Sequence, residues 1–251
     1  MKIIDVHGHL GYDCINDTEI TREQLLHYYK KHNVTGAIIQ PCVCRPYVEA
    51  NQKIHNEIHA LCNDAATGMK LWGMANMWPH FTRADYRDEI ERCVKKLSFV
   101  GVKINTRETA VNPRSEDGMY VFEVAYELGI PVMIHTCIGL PFADPVNLLP
   151  AIRKFPGLKL ILAHAGVFVT PGVIIDLARE SENVFLDTTW AGVNATGKFV
   201  KELGTSRLIF ASDQGANISV ELSKYQALEL SSTDMENVLF RTAEYVYNIR
   251  V

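Results

Sequence analysis

Eight apolar runs recur along the chain, at roughly 2–7, 34–40, 70–76, 99–104, 131–135, 158–163, 183–188 and 207–212. Most are continuously apolar rather than alternating, which is the pattern of strands buried on both faces of a parallel sheet. Between them, apolar residues fall at helical spacing over 22–32, 48–66, 83–97, 119–128 and 145–155, then over shorter stretches at 171–182 and 196–203. A last helix is predicted to begin at Thr233 as N-cap, with Glu236 three residues on completing a capping box. Eight strands alternating with helices in 251 residues predict an α/β fold, a (β/α)₈ TIM barrel of parallel strands, as one domain over 1–251. An open, doubly wound sheet shares this periodicity and is the competing architecture.

Composition narrows the partners. With 47% hydrophobic residues the chain can bury a large core, and a net charge of -4 with no basic run argues against nucleic acid. No apolar stretch approaches the roughly 20 residues needed to span a bilayer, and the chain enters its first strand without a leader-like segment. A cytoplasmic protein acting on a small molecule is therefore expected, with a homo-oligomer left open. Six cysteines contain no Cys-x-x-Cys pair and are expected to be reduced; Cys42 and Cys44 read as small apolar residues at a strand end.

The chemistry collects where strands end, the face on which such barrels carry function. The first run closes in His7-Gly8-His9, two imidazoles on one strand face. Asp5 is expected to share that face in a supporting role. The fourth run carries Lys103, the fifth closes in His135, the sixth in His164 and the eighth in Asp213. Neutral imidazoles with a carboxylate suit Zn²⁺, with Fe²⁺, Mn²⁺ and Co²⁺ also compatible. By contrast His55-Asn56-Glu57-Ile58-His59 is not a zinc-protease helix: Glu57 lies about 200° round the helix from the shared histidine face. His55 and His59 are expected to be polar residues of an outer helix.

Asp5-Val6-His7-Gly8-His9, Gly101-Val102-Lys103, Pro131 to His135, Ala163-His164-Ala165-Gly166, Asn183 to Asp187 and Ser212-Asp213 together resemble the amidohydrolase superfamily, over essentially the whole chain. The nearest branch is the amidohydrolase-related group, which contains both hydrolases and decarboxylases. The resemblance implies a metal-centred barrel with His7, His9, His135 and Asp213 as ligands and His164 facing the reacting group. In two-metal relatives a lysine at the position of Lys103 is carbamylated and bridges the ions. One ion is the preferred reading here, leaving Lys103 to neutralise a substrate carboxylate or pair with a loop acid. The chain departs from the family at Ala165-Gly166-Val167 and Gln214-Gly215-Ala216, which bears on pocket shape and not on the ligands.

Loops after other strands offer Arg45, Trp78, Asn105, Arg107 and Trp190 as substrate contacts; the arginines suit a carboxylate and the tryptophans could wall off water. The preferred expectation is a metal-dependent hydrolase of an amide or lactone of a small carboxylated molecule. A metal-activated water would attack, with Asp213 as proton acceptor and His164 stabilising the oxyanion. Two rivals stand beside it: a non-oxidative decarboxylase of an aromatic or dienoic acid using the same ligands, and a catalytically silent metal-binding protein.

Overall fold

A computed structural model describes residues 1–167 and 171–251. Its strand segments are β1 (Ile4–Asp13), β2 (Thr18–Ile20), β3 (Gly36–Pro41), β4 (Lys70–Gly73), β5 (Ala75–Asn76), β6 (Val102–Ile104), β7 (Val132–His135), β8 (Leu160–Ala163), β9 (Val184–Asp187) and β10 (Leu208–Ile209). Strand β2 folds back antiparallel on β1, while the other pairs are parallel, in the orders β1-β3-β4 and β5-β6-β7-β8-β9-β10. β4 and β5 are one barrel strand interrupted at Met74, whose N–H bonds to Ile39 while Ala75 turns to Gly101. Val6 N–H donates to the Phe210 carbonyl at 3.3 Å and joins the two ends. The sheet is therefore a closed eight-stranded barrel.

Helices α1 (Arg22–Lys31), α2 (Val48–Cys62), α3 (Arg83–Lys95), α4 (Thr106–Thr109), α5 (Glu116–Leu128), α6 (Leu149–Lys154), α7 (Gly172–Arg179), α8 (Val193–Leu203) and α9 (Ile218–Ala227) follow the strands, and α10 (Ser232–Glu236) and α11 (Thr242–Tyr247) complete the chain. Their starts are written in the sequence: Thr21 and Gln24 form a reciprocal capping box on α1, and Thr82 and Ser115 cap α3 and α5. The last helical region differs from expectation. Its N-cap is Ser231, whose hydroxyl accepts from Asp234 N–H at 3.2 Å, so Thr233 lies inside α10. A π-helical turn at Asn237–Arg241 then leads into α11. Periodicity also passes over β2, α4 and α9.

Alternate strand residues sort into two buried layers. Ile4, Val6, Ile38, Met133, Ile161 and Phe185 fill the barrel interior, closed at one end by Val246 and Tyr247 from α11. Ala37, Ile39, Val102, Val132, Leu160 and Leu186 face the helices. Strand β1 breaks this alternation. Asp5 pairs with Ala37 and Gly8 with Ile39, so Val6 and His7 together oppose Ile38 in a β-bulge. The extra residue lets apolar Val6 and polar His7 both face inward. It also turns Asp5 away from the side of His7 and His9, contrary to the expected shared face. Asp5 is fully buried and accepts from His7 N–H (3.1 Å), Ser212 N–H (2.9 Å) and the Ser212 hydroxyl, tying β1 to the end of the eighth barrel strand. Burial pushes its carboxyl up to about 6.

Candidate metal centre

His7 and His9 stand at the mouth end of the barrel with their rings 5.0 Å apart. Each has one nitrogen committed. His7 Nδ1 lies 2.6 Å from Asp187 Oδ2, and His9 Nδ1 lies 3.2 Å from the Pro41 carbonyl. Acceptors at Nδ1 keep the proton there and leave the Nε2 lone pair for another partner. Both Nε2 atoms turn to one oxygen, Asp213 Oδ1, at 3.3 Å from His7 and 3.1 Å from His9. Three ligand-type atoms thus converge within 4.8 Å of one another. That donor set fits a divalent transition ion.

The other strand-end residues surround this point. The His164 ring lies 5.2 Å from His7 and 4.9 Å from His135. His164 Nδ1 is 2.7 Å from the Thr189 hydroxyl, and Thr189 N–H is held by Asp187 Oδ1 at 2.8 Å. Among the described residues no protein group hydrogen-bonds to the His135 imidazole, which leaves it available as a ligand. Lys103 is fully buried and donates to His7 Nε2 at 2.7 Å. Gln40 comes within 3.4 Å of His9 Nε2 from the neighbouring strand.

Burial dominates the electrostatics. It drives His7 well below the ordinary imidazole value, with the Lys103 cation adding to it, and takes His135 and His164 down to about 3. Desolvation likewise lowers Lys103 to about 8, against the pull of Asp213 and Asp187. Burial works to raise the Asp213 carboxyl, but His7, His9 and His164 together hold it well below the usual carboxylate range. Neutral imidazoles beside an ionised carboxylate are the protonation states that a metal requires. Backbone strain gathers here too: His164, Trp190 and Asp213 all have positive φ (69°, 64° and 63°), a region that costs non-glycine residues energy.

These side chains line a cavity of about 510 Å³. Of the residues expected at substrate, Lys103, Asn105, Arg107 and Trp190 border it. Asn105 donates to the Cys42 carbonyl at 3.2 Å, and Arg107 is paired with its neighbour Glu108 (2.8 Å). The structure does not bring Arg45 or Trp78 to this cavity. Arg45 turns back onto the Tyr12 ring and carbonyl beside an adjacent groove, and Trp78 packs next to His80, which is itself paired with Asp117. Asp187 and Thr189 were not singled out from sequence as site residues, although Asp187 closes an apolar run as Asp213 does. His55, expected as a polar residue of an outer helix, is fully buried. Its Nδ1 bonds Glu89 at 2.6 Å and its Nε2 accepts Asn76 N–H at 3.1 Å, so neither nitrogen is free for a metal. Cys42 and Cys44 are buried thiols that burial pushes up to about 12, consistent with a packing role.

The fold is a closed (β/α)₈ barrel with histidines and an aspartate converging at its strand ends in a group that could hold a metal ion. The chain belongs to the amidohydrolase family, whose model matches residues 4–249. No curated protein matches it. Among solved structures it is similar to a dihydroxybenzoic acid decarboxylase from Polaromonas sp. JS666 with bound manganese and the inhibitor 2-nitroresorcinol, at 17% identity and TM-score 0.77, covering 100% of this chain and 98% of that one. It is also similar to 2,6-dihydroxybenzoate decarboxylase from Rhizobium (16% identity, TM-score 0.75, 98% of each chain). A third is 5-carboxyvanillate decarboxylase from Sphingomonas paucimobilis (14%, TM-score 0.73, 99% of each). At these identities the likeness is one of fold. Among the described residues no helix is long and apolar enough to cross a membrane.

Proposed function

We propose that the protein is a metal-dependent, non-oxidative decarboxylase of a small aromatic or dienoic acid, which reverses the preference for hydrolysis drawn from sequence. The observation that carries this reading is the state of Asp213. Hydrolysis needs it to take a proton from water, yet Oδ1 already meets His7 and His9, and Oδ2 accepts from the Trp190 indole at 2.8 Å. Facing two imidazole lone pairs through one oxygen and held by an indole through the other, the carboxylate is arranged to hold an ion rather than to accept a proton from water. The decarboxylase structures of the same fold support the same reading.

In this reading His7, His9, His135 and Asp213 hold one divalent ion, Zn²⁺ or Mn²⁺. When bound, it supplies positive charge to stabilise the electron pair left on the substrate. Lys103 and Arg107, the lysine and arginine that border the cavity among the described residues, orient the carboxylate. The carbon–carbon bond to that group breaks, its electron pair stays on the substrate carbon, a proton arrives there and carbon dioxide leaves. His164, with Nδ1 held by Thr189, has Nε2 left to exchange that proton. Asn105 and Trp190 complete the walls.

Lactones, amides and aromatic or dienoic acids turned over in ¹⁸O-labelled water with added Mn²⁺ or Zn²⁺ provide the test. Carbon dioxide release with unlabelled product is expected, and elemental analysis should find about one ion per chain, lost in His7→Ala/His9→Ala. Labelled product without carbon dioxide would restore the hydrolase reading. A retained ion with no turnover across the panel would favour a silent metal-binding protein.

A further inference from the structure

The loop after β9 places Trp190 at a φ of 64°, which a bulky residue adopts only under constraint. The constraint comes from α9. Glu221 Oε1 accepts the Trp190 N–H at 3.1 Å, and Lys224 Nζ donates to the carbonyls of Thr188 (2.7 Å) and Ala191 (2.8 Å) while pairing with Glu221 at 2.5 Å. Both charged residues are buried, at 2% and 9% exposure. Burying an ion pair carries a large desolvation penalty on each ion before its own attraction is counted. Apolar packing of Trp190 does not account for that expense, because the tryptophan is 48% exposed. Beyond the Thr189 contacts to His164 and Asp187, what the loop holds in place at residue 190 is one hydrogen bond: indole Nε1–H to Asp213 Oδ2 at 2.8 Å.

We infer that Trp190 is a positioning residue for Asp213. Its indole N–H occupies Oδ2, so that Oδ1 alone is presented to the ion held by His7 and His9, and the Glu221–Lys224 pair is the clamp that keeps the indole there. The inference rests on the metal-centre reading above and adds three residues to it. It also gives the two carboxylate oxygens distinct duties. A tryptophan serving only as a wall would be replaceable by any aromatic ring, whereas a positioning tryptophan would not.

Trp190→Phe keeps the ring and removes the donor. Mn²⁺ binding to the full chain, with free ion read from its electron paramagnetic resonance signal, should weaken about 10–100-fold in this variant, the usual effect of losing a group that orients a ligand. Its thermal midpoint should stay within about 2 °C of the parent, since the site is half-exposed and the substitution is confined to it. Lys224→Met, which releases the loop, should weaken Mn²⁺ in the same direction. A dissociation constant for Trp190→Phe within about twofold of the parent would overturn the inference. A second measurement is independent of any ion. In Trp72→Phe/Trp78→Phe protein Trp190 is the remaining tryptophan, and Asp213→Ala should change its emission; unchanged emission would also overturn the inference. Failure of the parent to bind either Mn²⁺ or Zn²⁺ overturns the metal-centre reading instead, and the emission experiment still decides whether the indole engages the carboxylate.

Discussion

Gly8 sits between the two histidines and faces away from them, toward α1. A Cβ built there would lie 2.1 Å from Tyr29 Oη, 3.0 Å from Ile39 Cδ1 and 3.3 Å from the Ile38 carbonyl. Tyr29 is fully buried beside Asp5, and its hydroxyl makes no well-formed hydrogen bond among the described residues. In Gly8→Ala either the tyrosine ring or β1 must move. Overpacking of this kind costs about 1–3 kcal/mol, and a rigid buried ring puts the cost in the upper half of that range. Alanine returns about 0.4–1 kcal/mol by restricting the unfolded chain, leaving a net loss of about 1–2.6 kcal/mol. For a chain of this size that lowers the thermal midpoint by about 2–10 °C. Tyr29→Phe deletes the atom nearest the new methyl, and alone should be close to neutral because its hydroxyl is unpaired. The double variant should therefore recover more than half of the loss, a coupling of about 1 kcal/mol. Urea unfolding of the four proteins gives the cycle directly. An additive cycle, or a Gly8→Ala midpoint within about 1 °C of the parent, would refute the steric argument.

Two further outcomes follow from buried carboxylates. In Asp187→Asn an amide N–H facing His7 would move the imidazole proton to Nε2, so Zn²⁺ affinity measured calorimetrically should fall about 10–100-fold; unchanged affinity would show that Asp187 does not set the tautomer. Burial works to raise Glu89, but the paired bonds from Arg92 and the contact with His55 bring its carboxyl from the ordinary 4.5 down to about 2. A depressed carboxyl stabilises the fold above its unfolded value and loses that contribution as pH falls toward the folded one. Glu89→Gln should thus cost about 2–3 kcal/mol at pH 7, with the gap to the parent closing between pH 4.5 and about 2 in chemical denaturation. A gap that stays constant over that window would contradict the assignment.

The barrel was legible because strands buried on both faces leave continuous apolar runs, and each of the eight predicted runs contains a strand. Its ends were less so. The run at 207–212 keeps only Leu208 and Ile209 as strand, because Phe210 N–H bonds Val238 and the Phe210 carbonyl turns to β1. The strand-end residues His7, His9, Lys103, His164 and Asp213 are brought together for the same reason they could be read: parallel strands end on one face. The bulge in β1 has no local sequence signature, so counting by twos put Asp5 on the wrong side. Arg45 and Trp78 lie on loops whose direction is set by tertiary contacts such as Arg45 on Tyr12, and periodicity carries nothing about those. The role of Asp187 is not legible in the sequence, because its partners His7 and Thr189 come from residues distant or trailing along the chain.

The place of Asp187 has a thermodynamic consequence. One carboxylate holds His7 directly and fixes Thr189, whose hydroxyl holds His164. Any change in electron demand at His7, such as exchanging one cation for another, alters how strongly Asp187 accepts its proton and therefore how Thr189 is held. The imidazole proposed to coordinate the ion and the imidazole proposed to handle the substrate's proton are thus linked variables. Cation choice and proton affinity at His164 belong to a single equilibrium, with the coupling running through a residue that need touch neither ion nor substrate.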